Sequence, residues 1–207
     1  SFKGKEKLQD PLSNEVIEVI DKCVSIYKEN FNALSNKNKP AEVVSINRIV
    51  DKLNLDPREV QVKLFSSDTD SGYIAAEIVS KILKHLNYSV EHCNIEGFQF
   101  DDLDTFKEEG IKTFVERTNE VISKSGPEHT YINITPGYKG FIPLITHIAS
   151  FYQVDMFYLF DGLDEVVVIP KIPSFNRILF GNKKGSSFDE IVDIIDRADE
   201  NDFTKVE

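Results

Sequence analysis

The stretch from residue 130 to residue 170 constrains the fold of this chain more than any other part. Thr130-Tyr-Ile-Asn-Ile-Thr135 is a β-type run, and Pro136-Gly137-Tyr138-Lys139-Gly140 follows it without a gap. An apolar helix-like segment comes next. It is followed by a second apolar strand over residues 155–160, the turn Asp161-Gly162-Leu163-Asp164, and a third strand over 165–169. A strand that runs into a Gly-containing turn and then a helix presents backbone N–H groups and one side chain to a phosphate. Lys139 occupies that turn.

The upstream chain repeats the theme. Residues 1–10 are polar and Lys-rich, with the character of a frayed terminus. Ser13 is an N-cap for a helix reaching residue 34, with Val16, Ile17, Ile20, Val24, Tyr27 and Phe31 along one stripe. Residues 41–55 predict a second helix with Val44, Ile46, Ile49, Val50 and Leu53 inward. Residues 60–65 alternate as a strand, 73–86 have helical spacing, and 88–95 are a further strand candidate. Residues 101–123 predict one long charged helix ended by Ser125-Gly126-Pro127. Alternating strands and helices predict an α/β, Rossmann-like, mostly parallel sheet with helices on both faces, plus a C-terminal strand pair. The character changes after Pro173. Residues 1–173 are expected as the main domain, and 174–207 as an extension with an apolar patch (Ile178, Leu179, Phe180) and a short helix over 187–198.

Several function classes are excluded or disfavoured. A net charge of −11 argues against a general binder of DNA or long RNA, which needs a basic face. A small anionic ligand needs only a few amides and one lysine. Cys23 and Cys93 do not make a disulfide framework, which points to a reducing, cytoplasmic setting. The longest apolar run, 141–160, contains His147, Gln153 and Asp155 and is no membrane span. None of His85, His92, His129 and His147 has a partner at metal-ligand spacing. Asp101, Asp102 and Asp104 have the character of helix-start acids. Neither a metal nor a cofactor is expected. No Gly-x-Ser-x-Gly elbow, P-loop or dinucleotide fingerprint is present.

Two strand ends carry the candidate chemistry. In the first, Ser66, Ser67, Asp68 and Thr69 either cap a helix and do nothing more, or contact a ligand at the carboxyl edge of the sheet. In the second, Thr135, Pro136, Gly137, Tyr138, Lys139 and Gly140 form either an ordinary Pro-Gly turn or a phosphate-facing loop whose lysine binds or stabilises charge. The strand–helix alternation predicts that both emerge on one sheet edge.

Ser67-Asp-Thr-Asp-Ser-Gly72 before a helix, Asn133-Ile-Thr-Pro-Gly-Tyr-Lys-Gly140, Tyr158-Leu-Phe-Asp-Gly-Leu-Asp-Glu-Val166 and Ile169-Pro170 together resemble CARF domains, the CRISPR-associated Rossmann fold of type III systems. Standalone ring nucleases and small CARF effectors are the nearest in kind, and the resemblance covers about residues 10–173. It implies a homodimer binding cyclic oligoadenylate, usually cyclic tetra-adenylate, across its two-fold axis. Thr135, Gly137, Tyr138, Lys139 and Gly140 would then face phosphate and ribose, with Ser67, Asp68 and Thr69 on the other wall. In ring nucleases of this group a lysine at the position of Lys139 supports metal-free cleavage by the ligand's own 2′-hydroxyl. Two features depart from the family pattern. No opening strand with a Gly-Thr-Ser turn is present, and Pro136 replaces a glycine and removes one N–H. The resemblance also allows an effector or membrane segment before Ser1. No arginine has a histidine at the Arg-x(4–6)-His spacing of a HEPN ribonuclease. Three readings stand: a sensor, a ring nuclease, and an unrelated nucleotide-binding α/β protein.

Overall fold

Period-2 alternation decides how strand β1 (Gln61–Ser67) is buried. Val62 and Leu64 enter one apolar cluster, while Phe65 enters another on the opposite face. Strand β2 (Ser89–Ile95) lies parallel to it, with Gln61 opposite Ser89 and Ser67 opposite Ile95. Helix α3 (Asp70–His85) makes the crossover between them. Two helices precede this unit, α1 (Asn14–Asn30) and α2 (Ala41–Leu53). Ser13 caps α1 as its position predicts, its hydroxyl accepting from Val16 N–H. In α2, Val43 rather than Val44 is the fully buried valine, because the helix rotates that position toward α3 and β1.

The computed structural model describes residues 13–31, 33–35, 38–99, 102–137, 139–160 and 163–170. The expected helix at 187–198, the apolar patch at 178–180, Asp101, Tyr138 and Asp161 lie outside the described residues. The single helix expected over 101–123 is instead three pieces. They are a short α4 (Leu103–Thr105), a π-helical turn (Phe106–Gly110) and α5 (Ile111–Ser125). The change of pitch lets Gly110 slide beneath the turn that ends β2. A Cβ on Gly110 would sit 2.5 Å from the Gly97 carbonyl oxygen.

Three further strands lie among the described residues. Strand β3 (Tyr131–Asn133) runs into helix α6 (Ile142–Tyr152), which returns to β4 (Asp155–Tyr158) parallel to β3. Strand β5 (Val167–Ile169) is antiparallel to β4, with Met156 opposite Ile169 and Tyr158 opposite Val167. The architecture is α/β and Rossmann-like, and the C-terminal strand pair is present. Among the described residues the strands form two sheets, β1–β2 and β3–β4–β5. Helices cover both faces. Helices α1, α2 and α3 pack around Ile20, Val24, Val43, Ile46, Ile82 and Leu83. Helices α5 and α6 pack around Phe114, Val115, Ile122, Ile145 and Ile148 on the other face. No helix among the described residues is long and apolar enough to cross a membrane.

Candidate functional site

The two strand ends singled out in the sequence sit at the same end of α2. Pro40 and Glu42, at the start of α2, border an open cavity of about 400 Å³ with Ser66 and Ser67 of β1. Ser45, in the same first turns, has its hydroxyl oxygen 2.7 Å from the Asn133 amide nitrogen at the end of β3. The carboxyl ends of β1 and β3 therefore both lie beside the first turns of α2. This is the shared edge that the strand–helix alternation requires.

The β1 turn is held internally at every polar position. Thr69 Oγ1 accepts from Gly72 N–H at 3.1 Å and starts α3, the capping role foreseen for it. Ser67 Oγ lies 2.8 Å from Thr69 Oγ1. Its hydroxyl occupies the space where a Cβ on residue 72 would fall, 2.1 Å away, which is why glycine stands there. Asp68 turns the other way. Its carboxylate accepts from the Asn94 side chain and from Gly97 N–H, both at 3.2 Å, while its own N–H donates to Phe98 O at 3.0 Å. Asp68 thus ties the ends of β1 and β2 together.

Ser66 joins an arrangement that sequence reasoning missed. Its Oγ is 2.7 Å from His92 Nε2, and His92 Nδ1 is 2.9 Å from Glu77 Oε1 on α3. A carboxylate only accepts, so Nδ1 carries the proton; in the neutral ring Nε2 accepts from the Ser66 hydroxyl. Tyr73 packs its ring on His92, with centroids 4.7 Å apart. A Ser–His–acid connectivity is the one that activates serine nucleophiles. Here Ser66 is only 7 % exposed, and its partners belong to the packed α3–sheet seam. The signal was present in the alternation of β2, which puts Val90, His92 and Asn94 on the α3 side, but pairing Ser66 with His92 requires the parallel register.

The β3 loop is more open. Asn133 Oδ1 accepts from Thr135 N–H at 3.1 Å, and Thr135 Oγ1 accepts from Leu159 N–H at 2.8 Å, which locks the loop to the end of β4. Gly137 has φ +91° with no atom within 4 Å of the position of a Cβ, so it is chosen for backbone conformation rather than for space. Lys139 is exposed, as is Gly140. The Lys139 ammonium donates to Thr135 O at 2.7 Å and lies 5.0 Å from the centre of the Tyr158 ring. That bond uses one of the three donors of the ammonium. Of the flanking acids, Asp164 pairs with Arg48 at 3.3 Å and Glu165 with Lys52 at 2.6 Å. Asp102 caps the turn at Thr105, as a helix-start acid should. No group of His, Cys, Asp and Glu side chains among the described residues is placed to hold a metal ion.

Lys139 therefore keeps an exposed ammonium on a turn that also carries Thr135 and Gly137. No curated protein matches the chain. Residues 37–172 match the family model described as CRISPR-associated protein (Cas_APE2256), a span that runs from the loop before α2 to just past β5 and includes both strand-end loops. The chain belongs to this family of CRISPR-associated proteins.

Proposed function

We propose that this protein binds cyclic oligoadenylate, foremost cyclic tetra-adenylate, across a homodimer and acts as a cytoplasmic sensor in type III CRISPR signalling, with residues 1–173 as the CARF domain. One observation carries the reading. In a CRISPR-associated chain, the β1 turn (Ser67, Thr69) and the β3 loop (Thr135–Lys139) share one sheet edge, and Lys139 is exposed there. A net charge of −11 makes that local cation the more telling. A four-fold ring of identical nucleotides offers the same contacts to both halves of an isologous dimer. Phe160 (47 % exposed) and Leu163 (54 %) lie just beyond β4 and supply apolar surface for a second copy.

Cleavage of the ring is the second reading, and it rests on Lys139 alone. What favours binding over cleavage is the tether of Lys139 to Thr135 O and the Tyr158 ring, which fixes the ammonium as an electrostatic anchor. Incubation with radiolabelled cyclic tetra-adenylate and separation of the products decides between them. Saturable binding of intact ring supports the sensor. Linear products that vanish in Lys139→Ala replace it with a ring nuclease. No binding of any ring size leaves an unrelated nucleotide-binding protein.

A further inference from the structure

Five phenylalanine rings join the two candidate loops. Phe65 immediately precedes Ser66 and Ser67 on β1, and Phe98 closes the turn that ends β2, its N–H donating to Ile95 O. Phe106 belongs to the π-helical turn and Phe114 to α5. Phe141 is the last residue of the 3-10 turn Lys139–Phe141, which leads into α6. The ring centres of Phe98 and Phe141 are 4.3 Å apart. Phe141 also meets Phe106 edge-on at 5.5 Å and Phe114 at 5.0 Å, and Phe114 in turn meets Phe65 at 5.9 Å. At such spacings and tilts aromatic rings attract through their edges. Two of the rings are tied to the loops through the backbone. Phe98 O accepts at 3.0 Å from the N–H of Asp68, the residue between Ser67 and Thr69, and Phe141 stands two residues from Lys139. Two non-covalent links therefore span the distance from the Lys139 turn to the β1 turn. The other end of the β3 loop is held to β4, where Thr135 Oγ1 accepts from Leu159 N–H. Lys139 lies between an anchor on β4 and an anchor on the turn after β2.

We propose that Phe141 is the positioning residue of the candidate site: through Phe98, its ring sets where Lys139 stands relative to Ser67 and Thr69. The proposal rests on the reading above, in which the two loops serve one ligand. Phe141 acts through Lys139 rather than on the ligand itself. A 3-10 turn rises about 2 Å per residue, which puts Phe141 about 4 Å along the turn from Lys139. A shift of the backbone at Phe141 is therefore passed to Lys139, whose ammonium is tethered only within its own loop and to the Tyr158 ring among the described residues. The ring is what the position requires. Leucine would keep the junction apolar, but it cannot reproduce the tilted contact with Phe98 or the edge-on contact with Phe106. On this reading the cluster does more than fill the space under α5 and α6, where Phe65, Phe98 and Phe141 pack with Phe114, Ile145 and Ile148. It makes two loops from distant parts of the chain move as one.

Two variants separate positioning from packing. Phe141→Leu alters the ring that adjoins Lys139, and Phe106→Leu removes a ring from the same cluster that belongs to neither loop. Both should lower Tm. In the full chain without ligand, amide exchange at Asp68 and Thr135 should quicken about tenfold in Phe141→Leu and stay within about twofold of the parent in Phe106→Leu. Phe141→Tyr, which keeps the ring, should restore both rates. In titrations with cyclic tetra-adenylate, Phe141→Leu should weaken binding about tenfold, and adding Lys139→Ala to it should cost less than Lys139→Ala alone, as for two residues that act through one contact. Unchanged exchange at Asp68 and Thr135 in Phe141→Leu overturns the proposal. So does equal acceleration in Phe106→Leu, which assigns the effect to packing, and so do strictly additive losses in the titration. A parent chain that binds no ring refutes the ligand reading instead, and the exchange rates then decide by themselves whether Phe141 aligns the loops.

Discussion

Gly110→Ala is the substitution whose effect the structure specifies most closely. The new methyl would lie 2.5 Å from Gly97 O, 2.8 Å from Gly97 C and 3.1 Å from Phe98 N. All three are backbone atoms, so no side-chain rotation relieves the clash. In an exposed helix the same change would gain about 0.5–1 kcal/mol from the lower entropy of alanine. Overpacking of this kind costs about 1–3 kcal/mol, and the net expectation is a loss of about 1–2 kcal/mol. For a domain of this size that lowers Tm by about 3–8 °C. The displacement also has a definite route. Gly97 N–H donates to Asp68, and Asp68 N–H donates to Phe98 O, so moving the Gly97–Phe98 turn pulls on the residue next to Ser67. Urea unfolding followed by circular dichroism gives the stability, and amide exchange at residues 67–69 reports the coupled movement. A neutral or stabilising Gly110→Ala would refute the reasoning, because it would mean that the π-helical turn does not hold the two backbones in contact.

Three further outcomes follow from buried polar groups. The Tyr27 hydroxyl is buried with no hydrogen-bond partner among the described residues, so Tyr27→Phe should raise stability by about 1 kcal/mol in the same urea assay. His92→Ala takes a partner from both the Ser66 hydroxyl and the Glu77 carboxylate and should cost about 1–3 kcal/mol, whereas Ser66→Ala should cost less, since His92 keeps Glu77 and Asn94 keeps Asp68. Burial pushes the Tyr27 phenol up to about 12, and burial together with the charge of Asp51 does the same for Tyr88. Both rings stay neutral in the folded chain at a pH where the unfolded chain ionises. Their contribution is complete below pH 10 and disappears between pH 10 and 12, so Tm should fall across that window and the fall should be smaller in Tyr27→Phe.

Much of the fold was legible because it depends on short-range periodicity. The alternation of residues 60–65, the cap at Thr69 and the strand pair around residues 156–169 are local features, and each was found close to its position. The interruption of the 101–123 helix was not legible. Residues 107–110 are Lys-Glu-Glu-Gly, which only widens the apolar step from Phe106 to Ile111, and the reason for the change of pitch is a contact with Gly97, distant in sequence. The division into two sheets was hidden for a similar reason, since strand patterns say which residues face the core and nothing about which edges meet. At the site, Lys139 and Thr69 were legible from turn chemistry. Thr135 was legible as a loop member but not as the hydroxyl that locks the loop to Leu159. His92 has no sequence neighbour that marks it, because Ser66 and Glu77 reach it only through the parallel register and the packing of α3.

Calorimetric titration of the folded chain with cyclic tetra-adenylate tests the central claim most directly. The account predicts saturation at one ring per two chains, with affinity falling about 10- to 100-fold in Lys139→Ala, the effect of losing one charge-assisted contact of about 1.5–3 kcal/mol. A folded chain that gives no saturable heat with cyclic tetra-adenylate, or binds it equally well without Lys139, would contradict it.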